Sequence, residues 1–161
     1  MIRIVKALLV LSIGLQALFY ALGNIANIEA AHQALAYVLS GADQAVYPET
    51  LFFYVTSPAL HWAALVIVLI LEFAVAFFGL KGGWDLFRAR RAPAEAFHAA
   101  KSAGVMAAAL ALLTWLGIFM VWGGAFFQMW QTEVGTGSLE GAFMYAAISA
   151  LVMLFVCLTD D

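Results

Sequence analysis

Glu72 is the residue whose setting asks most plainly for a chemical role. It lies in the run from Ala59 to Leu80, which is apolar apart from Glu72 itself and His61. It stands nine residues before Lys81, so about 13 Å from that end of a helix rising ~1.5 Å per residue. A carboxyl group near the middle of a bilayer is costly and by default marks function or a specific partner. The same count from the chain's charged ends puts Gln16 and Ser149 at the same depth, with Thr114 slightly further out. Together they form an intramembrane polar layer. The plainest reading is a protonated Glu72 that hydrogen-bonds Gln16 or Ser149 and ties the helices together. Proton or cation transfer, or contact with a partner subunit or ligand, are the alternatives.

The three histidines divide between the two ends of such a bundle. His98 falls beside the basic stretch, whereas His32 and His61 fall near the opposite surface. His32 and His61 are weak candidates for axial haem ligands, and they read equally as interfacial hydrogen-bonding residues. The lone Cys157 leaves no internal disulfide or multi-cysteine metal motif and reads as a small apolar helix residue. There is no nucleophile elbow, phosphate-binding loop, dinucleotide fingerprint or zinc-protease motif. No catalytic residue, cofactor or metal is therefore expected, and the chain reads as a non-enzyme.

The elements that position these residues follow from composition. The 161 residues are 66% hydrophobic and 11% charged, with a mean hydropathy of +0.99. Soluble domains carry roughly a quarter charged residues, so the solvent expected here is lipid. One four-helix transmembrane domain over 1–161 is expected, all-α, with spans at about 7–23, 59–80, 103–123 and 141–158. The first run is read as a retained span and not as a cleaved leader. An amphipathic helix carrying Ile28, Ala31, Leu35 and Val38 follows it and ends at Gly41. Pro48 breaks the chain, and Pro58 opens the second span.

Charge sorting sets the orientation. Five of the seven Lys and Arg residues lie in the stretch 81–102 and the other two are Arg3 and Lys6. Short loops rich in these residues stay cytoplasmic, which puts the 81–102 loop and both termini, including Thr159-Asp160-Asp161, inside. Both outer segments lack Lys and Arg and hold Glu29, Asp43, Glu49, Glu133 and Glu140. No basic patch interleaved with aromatics suggests nucleic acid, and no soluble substrate is indicated.

All five tyrosines, with Trp62, Trp122 and Trp130, cluster at the outer ends of the spans, while Trp84 marks the inner side. Tyr54, Trp122, Phe126, Phe127 and Trp130 are the candidate partner contacts. Ala103, Ala107 and Ala111 in the third span, and Ala142, Ala146 and Ala150 in the fourth, predict that these two spans form the closest pair. The pairs Gly23-Asn24 and Gly123-Gly124 read as turns or close contacts at helix ends.

Over nearly its whole length the chain resembles a bacterial family of predicted small, four-span integral membrane proteins. The resemblance rests on Gly23-Asn24-Ile25, Tyr37-Val38-Leu39-Ser40, Pro58-Ala59-Leu60-His61, Glu72 and Phe97-His98-Ala99-Ala100-Lys101. It continues through Gly123-Gly124-Ala125-Phe126-Phe127-Gln128-Met129-Trp130-Gln131 and Gly141-Ala142-Phe143. Where that family is expected to read Gly-Gly-Glu-Trp-Phe, Ala125 and Phe126 stand here, so any chemistry of that carboxylate does not carry over. The resemblance implies a bacterial inner-membrane protein and supplies no activity.

Small size, few buried polar groups and aromatic outer segments make a non-catalytic accessory or stabilising subunit of a larger inner-membrane complex the leading expectation. Its partners would be other integral subunits, in a respiratory, photosynthetic or transport-related assembly, and lipid. The alternatives are a haem- or quinone-binding redox module and a small cation transporter using Glu72.

Overall fold

The computed structural model describes residues 1–47, 49 and 52–160; the expected break at Pro48 and the terminal Asp161 lie outside the described residues. Helix α1 spans Ile2–Ala26, α2 Ile28–Leu39, α3 Pro58–Ala89, α4 Ala94–Ala99, α5 Ser102–Leu112 and α6 Glu133–Cys157. A π-helical segment, Leu113–Phe126, continues α5, and a 3₁₀ turn, Met129–Gln131, precedes α6. The described chain is all-helical, and four stretches are long and apolar enough to cross a membrane: Ile2–Ala26, Pro58–Ala89, Ala94–Phe126 and Glu133–Cys157. At ~1.5 Å per residue α1 and α3 reach about 38 and 48 Å, more than a ~30 Å hydrocarbon core requires.

Each span is longer than apolar run length predicts, because helices run on past their hydrophobic part. Gly23 and Asn24 are inside α1, and the chain turns only at Asn27, whose side-chain amide donates to the Gly23 carbonyl at 2.9 Å. The stretch 81–102, expected as a loop, is mostly helical. Lys81–Ala89 completes α3, Lys81 pairing with Asp85 one turn on at 2.5 Å, and Ala94–Ala99 forms α4. Gly123 and Gly124 lie in the last turn of the π-helical segment and make no turn, but they do pack closely: a Cβ on either would come within 2.9 Å of Met129 or Leu139. The amphipathic α2 forms where the periodicity places it; Gly41, at φ +69°, ends it in the left-handed conformation glycine tolerates. Helix α6 begins at Glu133, where Thr132 Oγ1 accepts the Gly135 amide at 3.1 Å, an N-cap that satisfies an otherwise orphaned donor.

The central element is α3, which packs along α1 on one side and α5 on the other, with α6 closing against α5 and the π-helical segment. The expected closest pair, the third and fourth spans, is not the closest. Helices α1 and α3 make the most extensive contact, and glycine lets the backbones meet. A Cβ built on Gly79 would lie 2.5 Å from Gly14 Cα, and one on Gly82 would lie 2.4 Å from Gly104 N. Lipid supplies no hydrophobic drive between helices, so such close approach is what gives the bundle its dispersion contacts. The alanines of the third and fourth spans are still used: Ala103, Ala107, Ala111, Ala142 and Ala146 are all buried.

The α5-to-π transition has a local sequence cause. Thr114 is fully buried and turns its hydroxyl back onto the Leu110 carbonyl at 2.8 Å, a contact that bends helices and loosens their ladder. At the far end of the segment the Phe127 amide reaches the Trp122 carbonyl, five residues back, at 2.8 Å.

Candidate functional site

Leu65, Val68 and Glu72 lie on one face of α3 at helical spacing, with His61 one turn before Leu65. The face is buried, and Glu72 is 2% exposed. Its carboxylate accepts both contacts from the Asn24 side-chain amide of α1, at 3.0 Å and 3.3 Å. That pairing replaces the expected one. Ser149 is buried on α6 and Gln16 half-buried on α1, yet neither hydrogen-bonds Glu72 among the described residues. The counted depth leads to the wrong partner because α1 continues through Asn24.

Beyond Asn24 lies a cavity of about 400 Å³. Its walls come from α2 (Ala31, Leu35, Val38), from α3 (Ala64, Leu65, Val68) and from the π-helical segment (Ile118, Phe119, Trp122). Asn24 and Ser138 are the polar residues in the lining. Ile67 and Trp122, each 52% exposed, stand at the rim. A volume in this range suits a ligand of drug-like size.

His32 and His61 are brought together at the same end. Their ring centroids are 5.9 Å apart, and His32 stacks on Trp62 at 4.2 Å. His61 Nε2 lies 2.8 Å from the Val55 carbonyl, which can only accept, so that nitrogen carries a proton. His32 Nε2 is buried without a hydrogen-bond partner among the described residues. No third His, Cys, Asp or Glu joins the pair to make a metal-binding group among the described residues.

The aromatic residues above the cavity form a pinned shelf. Gln44 Nε2 donates to the Phe127 carbonyl at 2.7 Å, the Tyr47 amide to Gln131 Oε1 at 2.6 Å, and the Val55 amide to the Leu39 carbonyl at 2.8 Å. On this frame Phe52 stacks on Phe126 at 4.5 Å, Trp122 leans on Phe126 at 5.2 Å and Tyr47 meets Trp130 edge-on at 5.1 Å. Trp122 and Trp130 are exposed and Phe126 half-exposed. Two of the five candidate contacts face inward instead. Phe127 is only 8% exposed. Tyr54 donates to Gln44 Oε1 at 2.9 Å, and its ring fills the space a Cβ on Gly41 would need. Helix ends and turns must bury something to hold their shape, and these two rings serve that purpose.

The opposite end of the bundle holds a cluster that composition alone does not reveal. Asp160 Oδ2 accepts Lys6 Nζ of α1 at 2.8 Å and Lys101 Nζ at 2.6 Å. Lys6 is 1% exposed, Lys101 5% and Asp160 5%. Both lysines also donate to the Leu158 carbonyl, at 2.7 and 2.6 Å, and the Asp160 amide donates to His98 Nε2 at 3.2 Å. Arg3 donates to the Ala92 carbonyl at 2.6 Å. Both termini and the α3–α4 connection therefore share one end. Burial alone would push the Asp160 carboxyl up, but hydrogen bonds from Lys101 and Lys6, with their charges, outweigh it and hold the group below its usual range.

Among families of known sequences, the one described as predicted small integral membrane protein (DUF2165) matches this chain over residues 2–159. No curated protein matches it, and no solved structure does.

Proposed function

We propose, from the premise that the chain belongs to this family of small integral membrane proteins, that it is a non-catalytic accessory subunit which stabilises a larger inner-membrane assembly. The observation that carries the reading is the aromatic shelf. Exposed rings on a lipid-facing helix need no frame, since lipid accepts apolar side chains in any arrangement. Here two hydrogen bonds from the stretch after α2 hold the segment that carries Trp122, Phe126 and Trp130, and a third ties that stretch's continuation back to the end of α2. Rigid aromatic surface with few charges is the composition of interface cores, and fixing it beforehand lowers the entropy cost of association.

The test is native electrophoresis or native mass spectrometry of membranes solubilised in mild detergent, followed through this chain. Co-migration with a much larger assembly is expected, weakened at least tenfold when Trp122 and Trp130 are both changed to Ala, as for hot-spot aromatics. Migration only as the free 17.4 kDa chain or as a homo-oligomer defeats the reading.

The orientation we infer places the lysine-rich end in the cytoplasm. In a Cys157→Ser background, a membrane-impermeant thiol reagent applied to intact cells is expected to label Glu49→Cys and to spare Ala92→Cys until the cells are opened. The reverse pattern inverts the topology.

A further inference from the structure

We propose that the cavity between α2, α3 and the π-helical segment is a binding site for a neutral, hydroxyl-headed lipid, a long-chain or isoprenoid alcohol. Four observations on the molecule converge on that chemistry. The space, about 400 Å³, falls within the size range of ligand sites. Its walls are apolar, so most of the occupant is hydrocarbon. No charged side chain lines it; Glu72 touches only Asn24 of the lining, through its hydrogen bonds. A phosphate or carboxylate head would meet no compensating charge there and would stay in water. One wall is π-helical, a geometry that recurs at functional sites and is rare at this length elsewhere.

The head group is specified by Asn24. Its Nδ2 is committed to Glu72, as described above, while its Oδ1 has no protein partner among the described residues. Glu72 thereby holds the donor end of the amide, which leaves the acceptor as the unspent polar atom of a residue that lines the cavity. A hydroxyl donates to such an acceptor; a ketone, ester carbonyl or ether cannot. Ser138 spends its own proton on the Val134 carbonyl at 3.0 Å, leaving its oxygen as a second acceptor. Glu72 is thus a positioning residue for Asn24. The occupant arrives from the bilayer past Ile67 and Trp122 at the rim. Trp122 belongs to both the shelf and the cavity wall, so the two readings are separated by Ala34→Trp, which fills the cavity and leaves the shelf residues unchanged.

The experiment uses the full chain in lipid nanodiscs and, as probe, a sixteen-carbon alcohol bearing a photoactivatable diazirine, with adducts mapped by mass spectrometry. Adducts are expected on Leu35, Val68 and Phe119, and to be displaced by excess farnesol but not by the carboxylic acid of the same length. In Asn24→Leu the competing concentration of farnesol should rise about tenfold, the loss of one hydrogen bond. Because that variant also disturbs the α1–α3 contact, Ala34→Trp provides a second arm. Ala34 lines the cavity from the exposed side of α2, so filling it there leaves the bundle intact and should abolish cavity adducts. Displacement by ketones and acids as readily as by alcohols would overturn the assignment. So would adducts spread equally over the lipid-facing Leu151 and Leu154, or cavity labelling that survives Ala34→Trp.

Discussion

Asp160→Asn is expected to lower the unfolding midpoint of the detergent-solubilised protein by on the order of 10 °C. The substitution keeps the size of the side chain and removes its charge, leaving Lys6 and Lys101 facing each other in a site where neither reaches water. Breaking a buried ion pair by deleting one partner costs about 3–5 kcal/mol, because the remaining charge is uncompensated. For a chain of this size that is a shift of roughly 6–20 °C. Adding Lys6→Met should restore part of the loss, since one ammonium is then removed with the carboxylate; in a double-mutant cycle the two changes are expected to be strongly non-additive. Additive effects would show that the cluster is not a unit.

The same site gives the protein an acid limit. A carboxyl whose folded-state pKa lies below its unfolded value stabilises the fold above that unfolded value. The contribution fades as pH falls through the folded value. Acid melts of the wild type should therefore show a loss below about pH 4 that is absent from Asp160→Asn, which has forfeited the contribution at every pH.

Alanine at the glycine contacts should be nearly as damaging. The atoms a Cβ would strike at Gly14, Gly79 and Gly82 are backbone atoms at 2.7, 2.5 and 2.4 Å, so no side chain can swing aside and the helices themselves must part. Overpacking of this kind costs about 1–3 kcal/mol per site. Gly14→Ala and Gly79→Ala act on one contact, so their combination should cost less than the sum. Gly23→Ala is the matched control. Nothing lies within 4 Å of its Cβ, and in the middle of a helix alanine is favoured by about 0.5–1 kcal/mol. Unfolding in a mixed-detergent titration should show Gly82→Ala destabilised and Gly23→Ala unchanged or more stable. Equal behaviour of the two would remove close backbone approach as the basis of the packing.

Legibility in the sequence followed the physical scale of each feature. The four spans are readable because lipid imposes a minimum apolar length, and α2 because its periodicity is short and local. The helix ends are not readable the same way. Lys81 looks like the limit of a span, but helical hydrogen bonding continues to Ala89 after the apolar run has stopped, and with it the glycines at 82 and 83. Glu72 announces itself by being costly. Its partner does not, because Asn24 beside Gly23 has the signature of a turn, and only the continuation of α1 puts its amide in reach. Trp122 and Phe127 have the same composition-level credentials, and only folding turns one out and the other in. The π-helical geometry leaves no mark on hydropathy, since the residues are as apolar in one ladder as in the other.

The ion cluster also has a history in time. Lys6 and Asp160 are separated by 154 residues, so at ordinary synthesis rates of ~5–20 residues per second the carboxylate emerges on the order of ten seconds after the first lysine. Throughout that interval Lys6, and later Lys101, have no Asp160 to pair with, and under the orientation proposed above theirs are among the charges that direct insertion. Once Asp160 arrives, the two lysines pair with it and are buried. Under that orientation the positive signal is presented during insertion and then consumed as a fastening, so that an inserted molecule no longer displays all of the charge by which it was sorted.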